Sequence, residues 1–360
     1  MGAIKLAVDR IGDVKIQRPE VLVIAAISIT IALIFMQRYG RLKHGLPVVK
    51  VHGNNVVEAL EAAHTKYPKE PFMLSLLGME MAVLPDSEIE TIKALPETDV
   101  SIKKHHYDVF LGEYFYMGTK ADEFDGTMRN VLTRNTPAVL ASFNAEVEYA
   151  INKMIGPCKE WTAIKPRYAM SRVASIMSGR TFVGLPLSRQ EDWVEATVNY
   201  TTGVSKAWMI LRMIPWPIRF FGAPFLPQVR VLKQRRAINE TKFAPVIEEK
   251  RIGLKKDKKI PGGDMLEWFI SQYSHPPNAQ DLGRDQLLTT FASIYYLSNA
   301  LPYIIFDLAA LDQGDLELMR EEVLRHVPAN GNIDKMDLPK LKSLDSFAKE
   351  SQRLSPSSLA

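Results

Sequence analysis

The sequence predicts a mainly α-helical protein with a small β-hairpin near its N-terminus, set behind one N-terminal transmembrane helix. Three observations predict it. Apolar residues recur at helical spacing through most of the chain. Two short apolar segments flank Gly78, the pattern of a hairpin. One uncharged run, Val21–Met36, lies close to the N-terminus between basic flanks.

The run reads VLVIAAISITIALIFM, and only Ser28 and Thr30 in it are polar. As a helix it spans about 24 Å, slightly under a thin bilayer's hydrocarbon core of about 27 Å. Gln37 extends it, Arg38 can snorkel and Tyr39 can sit at the interface. No small-x-small pair follows, so an uncleaved anchor is favoured over a cleaved signal. A buried core helix is the alternative. Lys5, Arg10, Lys15 and Arg18 precede the run, and Arg38, Arg41, Lys43 and Lys50 follow it. That tie leaves the orientation open. The organisation read from this is an N-terminal flank over 1–20, an anchor over 21–37, a hinge over 38–50 around Gly45-Leu46-Pro47, and one domain over 51–360.

Asn54 or Asn55 can cap a helix carrying Val56, Val57, Leu60 and Ala63, which stops near Pro68. The hairpin follows as Phe72–Leu77 and Met79–Leu84. Ser87 and Glu90 have the spacing of a capping box for a helix that stops at Pro96. Helical patterns then cover Ala138–Ile155, Tyr168–Phe182, Glu191–Leu211, Pro227–Arg251, Met265–Tyr273, Asp285–Leu311, Asp315–Arg325 and Leu344–Arg353. Asp285–Leu311 is apolar almost all round. Thr289, Thr290, Ser293 and Asn299 favour a buried central helix over a second span, and Pro302 predicts a kink.

Composition narrows the chemistry. With 46% hydrophobic and 24% charged residues, the chain has the apolar mass for a core. A net charge of +4 is too small to argue for nucleic acid, and none is expected as a partner. One cysteine, Cys158, excludes a disulfide framework and any Cys-rich metal site. The basic run from Lys250 to Lys259 contains no aromatic residue and leads into Pro261-Gly262-Gly263, so it reads as a solvated loop. His105 and His106 are adjacent and point apart. No Gly-rich phosphate loop, Gly-x-Ser-x-Gly or His-Glu-x-x-His is present. The stretch Trp208–Leu226 is rich in large apolar residues broken by prolines and reads as buried core or as a membrane-facing surface.

Glu350 and Arg353 lie three apart on one helical face, a spacing that alone signals only a weak exposed pair. The wording around them is more specific. LDSFAKESQRLSP resembles the helix of fungal cytochrome P450 enzymes that carries their Glu-x-x-Arg motif, here Glu350-Ser351-Gln352-Arg353. FMLSLLGMEMAVLP, ALPETDVSIKK, PCKEWTAIKPRYAMSRVASIMSGRTFVG and GGDMLEWFI resemble segments of the same family in the same order. The resemblance implies a cytochrome P450 fold, a haem cofactor, a P450 reductase as redox partner, and monooxygenation of a lipophilic secondary metabolite of terpenoid or meroterpenoid class. It also implies an endoplasmic-reticulum membrane protein with its main domain in the cytosol, and a Trp208–Leu226 region at the membrane surface and the mouth of the substrate channel.

The resemblance also assigns positions. The family's haem thiolate sits in a late Phe-x-x-Gly-x-x-x-Cys-x-Gly segment with no counterpart in these 360 residues, and Cys158 lies far too early to match. An incomplete fold, inactive as this chain and without thiolate-ligated haem or a metal site of its own, is therefore expected. An active enzyme with a longer product, or a non-catalytic membrane-anchored interaction protein, are the alternatives. Tyr295 and Tyr296 stand where the family places an acid-like residue and a Thr that relay protons to dioxygen. A phenol, with a pKa near 10, relays protons poorly at neutral pH. Arg129 falls where the family pairs an Arg with a haem propionate, although Asp125 replaces the aromatic residue usual four positions earlier.

Overall fold

In the computed structural model the described residues are Ile29, 45–51, 55–76, 79–115, 122–214, 218–219, 222–256, 264–273 and 279–356. Apart from Ile29, the run Val21–Met36 lies outside them. Among the described residues no helix is long and apolar enough to cross a membrane. The chain divides into two compact units, Met1–Glu90 with Leu211–Ala223, and Thr91–Ile210 with Pro224–Ala360.

The first unit is built on a three-stranded sheet. β1 (Val48–Lys50) runs parallel to β2 (Phe72–Leu76), which pairs antiparallel with β3 (Met79–Val83). Phe72 faces Val83 and Leu76 faces Met79, the register expected of a hairpin around Gly78. A parallel pair needs a crossover, and α1 (Val56–Lys66) supplies it. Asn55 is the cap: its side-chain oxygen accepts from the Glu58 amide at 3.3 Å. Phe72, Met73 and Leu74 are buried. Two expectations are corrected. Val48–Lys50, inside the expected hinge, is a strand, too short at three residues for its pattern to show. The Ser87–Glu90 box does not form: a 3-10 turn at Asp86–Glu88 follows Pro85 without a side-chain cap, and α2 (Ile89–Lys93) continues from it.

The second unit is helical. Its elements are α3 (Ile102–Val109), α4 (Gly112–Phe115), α5 (Asp122–Gly126), a π-helical turn (Thr127–Leu132), α6 (Thr136–Met154), α7 (Pro166–Phe182), α8 (Glu191–Met213), α9 (Pro227–Lys256), α10 (Met265–Gln272), α11 (Ala279–Ala310), α12 (Gln313–His326) and α13 (Lys342–Leu354). The last three residues of α8 belong to the first unit. α11 runs through Pro302 as one element.

α7 is the axis of the core. It packs along α6 and, most extensively, along α11. Its buried residues include small side chains, Ala169, Ala174, Ser175, Ser178 and Gly179, which let neighbours approach closely, beside the larger Met170, Val173, Ile176 and Phe182. A Cβ at Gly179 would stand 3.1 Å from the Ser188 Cβ and 3.3 Å from the Trp193 indole nitrogen. Hydroxyls stitch the contact: Ser178 bonds Ser293 of α11, and Ser175 bonds Thr197 of α8 at 2.7 Å. Around them Ile176, Trp193, Val194, Met265, Leu266, Trp268, Phe269 and Leu282 form one apolar cluster.

Two ionic clusters sit at the margin of that core. Glu146 of α6, 1% exposed, accepts two bonds of 3.0 Å from the Arg189 guanidinium, with Arg180 at 3.9 Å. Arg189 also lies over the Tyr149 ring, 4.1 Å from its centre. Lys250 at the end of α9 bridges Asp264, the cap of α10, and Glu267 at 2.9 Å. Burial works against the Lys250 charge, yet the two carboxylates hold its amine above the ordinary lysine range.

Candidate functional site

The residues singled out by the sequence lie on α11, α13 and the π-helical turn. In the middle of α11, Phe291 is 5% exposed and stacks on Tyr295, with ring centres 5.3 Å apart and planes at 14°. Phe110, just past α3, meets Phe291 edge-on at 5.7 Å and 72°. Tyr296 points elsewhere. It is 47% exposed, and its hydroxyl donates to Gln352 Oε1 of α13 at 3.2 Å.

α13 is strongly amphipathic, and its two middle motif residues do the anchoring. Ser351 is buried and donates to Asp307 of α11, while Gln352 receives Tyr296. Glu350 and Arg353 face outward, at 55% and 67% side-chain exposure. They pair with each other through two bonds, Nε to Oε2 at 2.8 Å and Nη2 to Oε1 at 2.6 Å. Those bonds hold the Glu350 carboxyl below its ordinary range and raise the Arg353 guanidinium. The start of α13 is capped from α12: Glu322 accepts from the Ser343 amide at 3.0 and 3.1 Å and from the Leu344 amide at 3.1 Å. These amides, Ser343 first, pull the Glu322 carboxyl down.

The structure thus brings Tyr296 to the Glu350–Arg353 helix and sends Tyr295 into an aromatic stack. Arg129 is exposed on the π-helical turn. Cys158 stands at an exposed turn between α6 and α7 with φ of 21°, its thiol donating to the Ile155 carbonyl at 3.3 Å. Nothing in that setting fits an axial iron ligand, which must be a thiolate facing the cofactor. Among the described residues no group of three or more His, Cys, Asp or Glu could hold a metal ion. Sequence reading missed Gln352, Ser351, Asp307, Phe291 and Phe110. The Phe291–Tyr295 spacing of four residues was the one available signal.

A family model described as cytochrome P450 matches residues 123–359. The chain belongs to the cytochrome P450 family. Among curated relatives, the cytochrome P450 monooxygenase ataF of Aspergillus terreus is 54% identical over 329 residues, covering 91% of this chain and 66% of its own. The cytochrome P450 monooxygenase gliF of Aspergillus fumigatus is 54% identical over 324 residues, covering 87% and 64%. The cytochrome P450 monooxygenase ascG of Acremonium egyptiacum is 29% identical over 361 residues. The chain therefore spans about two thirds of the length of the relatives it matches most strongly. The mainly helical architecture with a small three-stranded sheet near its start is consistent with that family's fold, and haem is the cofactor that the family implies.

Proposed function

We propose that this chain carries the substrate-binding side of a membrane-anchored haem-thiolate monooxygenase acting on a lipophilic secondary metabolite. We further propose that the 360 residues by themselves do not activate oxygen. The observation that carries the second statement is Cys158, the one cysteine of the chain, held at an exposed turn unsuited to ligating iron. When bound, haem supplies oxygen activation in this family, with electrons from a P450 reductase. The roles left to this chain's own residues are positional. Phe291, Tyr295 and Phe110 offer an apolar surface, and Tyr296 commits its hydroxyl to Gln352. Arg129 as the partner of a haem propionate rests on the resemblance, and an Arg–carboxylate pair there would be directional.

Val21–Met36 supports membrane anchorage by its length and lack of charge; the endoplasmic reticulum as the membrane and a cytosolic main domain rest on the resemblance alone. Met209 and Phe225, both exposed, suit contact with lipid at the mouth of a substrate path. Within the lipophilic class, terpenoid or meroterpenoid chemistry rests on the resemblance alone.

Reduced-plus-CO difference spectroscopy on membranes expressing the 360-residue chain tests the reading. With the protein present on a blot, no thiolate-type Soret band is expected. Such a band would overturn the inactivity and make Cys158→Ser the next variant. Release of the chain by alkaline carbonate would overturn the anchor.

A further inference from the structure

We propose that Phe110, Phe291 and Tyr295 form an aromatic ladder that selects substrates carrying an aromatic ring over saturated molecules of the same size. The inference rests on the reading of the middle of α11 as the substrate face and deepens it. The ladder has three rungs on two elements. Phe291 is its buried centre, with Tyr295 stacked on it at 5.3 Å and Phe110 edge-on at 5.7 Å. The outer rungs are half-buried, less enclosed than the buried centre. A ligand ring laid against such a series can adopt the same offset or edge-on geometry that the rungs use among themselves.

The rungs are held rather than adaptable. Phe291 and Tyr295 are one helical turn apart on α11. Phe110 sits where α3 gives way to α4, and Leu111 beside it takes φ of 52°, a left-handed conformation that a branched apolar residue adopts only when its surroundings enforce it. The surroundings are visible. The Trp208 indole of α8 donates to the Val109 carbonyl at 2.5 Å, and the buried Tyr200 hydroxyl donates to the Phe115 carbonyl at 2.9 Å. Two bonds from one helix therefore fix the backbone on both sides of Phe110. Rings whose positions are set in advance lose little freedom on binding, which is what makes them selective. Outward from Phe110 the series continues to His106 at 6.1 Å, an exposed ring on α3. The aromatic surface thus runs from solvent to Tyr295, the position before Tyr296.

The test is equilibrium dialysis of the full detergent-solubilised chain against naphthalene and trans-decalin, two bicyclic probes of similar size, with empty micelles subtracted. Naphthalene is expected to bind about three- to tenfold more tightly, the factor a single aromatic pair supplies beyond its area. Phe110→Leu and Tyr295→Leu each remove an outer rung without opening the core, and each should reduce the preference to within about twofold. Tyr295→Phe keeps the ring and should keep the preference. Equal binding of both probes would overturn the ladder and leave the lipophilic site standing. An unchanged preference in both Leu variants would also overturn it. Binding of neither probe would remove the lipophilic reading as well.

Discussion

Glu146 with Arg189 and Glu350 with Arg353 are the same two side chains joined by the same pair of bonds, in opposite surroundings. The first carboxylate is sealed in the core, its partner 43 residues away and laid over a tyrosine ring. The second pair spans three residues on an exposed helix face. Bidentate geometry is common to both, so geometry is not what separates them. Water is: a buried carboxylate has no alternative to its guanidinium, whereas an exposed one exchanges it for solvent at little cost. What the pairs teach is that the conspicuous motif need not be the stabilising one.

The largest effect should come from Arg189→Leu, which leaves Glu146 with Arg180 alone. A loss of about 2–4 kcal/mol in urea unfolding is expected, toward the lower side of a broken buried pair because Arg180 remains. Glu146→Gln keeps shape and hydrogen-bond acceptance but removes the charge. It should lose about 1–2 kcal/mol, since the partly exposed Arg189 can still reach water. If the two variants cost the same, desolvation is not what distinguishes the pairs.

Glu322 sharpens the comparison from the exposed side. Its carboxyl lies below the ordinary range because the Ser343 amide, then the Leu344 amide, bond the charged form. A depressed carboxyl stabilises above the unfolded value of about 4.3, and the stabilisation disappears as pH falls through the folded value. Hydrogen-exchange protection of those two amides should therefore hold at neutral pH and fall only as pH drops below the ordinary carboxylate range, and Glu322→Gln should flatten the dependence. The smallest effect belongs to Glu350→Gln. No resolvable change in the urea midpoint is expected, and a clear one would mean that the outward pair is supported by more than its own bonds.

The helices were legible because their apolar spacing is long and regular. Thr136–Met154, Pro166–Phe182 and Gln313–His326 each fall within two residues of the expected limits. Ile102–Val109 was not seen, since Lys103, Lys104, His105 and His106 hide its short apolar face. β1 was hidden because three residues carry no period. In the site, Glu350 and Arg353 could be read from their spacing and wording. Gln352 could not, because its significance depends on Tyr296, 56 residues away in sequence. The Glu146–Arg189 pair was invisible for the same reason. No local pattern announces a partner that only the packing of α6 against α7 brings within reach.

The bridge at Lys250 has a consequence for the covalent continuity of the chain. One amine joins the end of α9 to both the cap and the first turn of α10, so these two helices are held to each other across residues 257–263 without needing the backbone between them. A chain cut at an engineered protease site after position 260 should run as two bands in detergent yet migrate as one species when folded. The two halves would then behave as a non-covalent pair held mainly by α7 against α11, and the affinity lost on Lys250→Met would report what that single ammonium group adds.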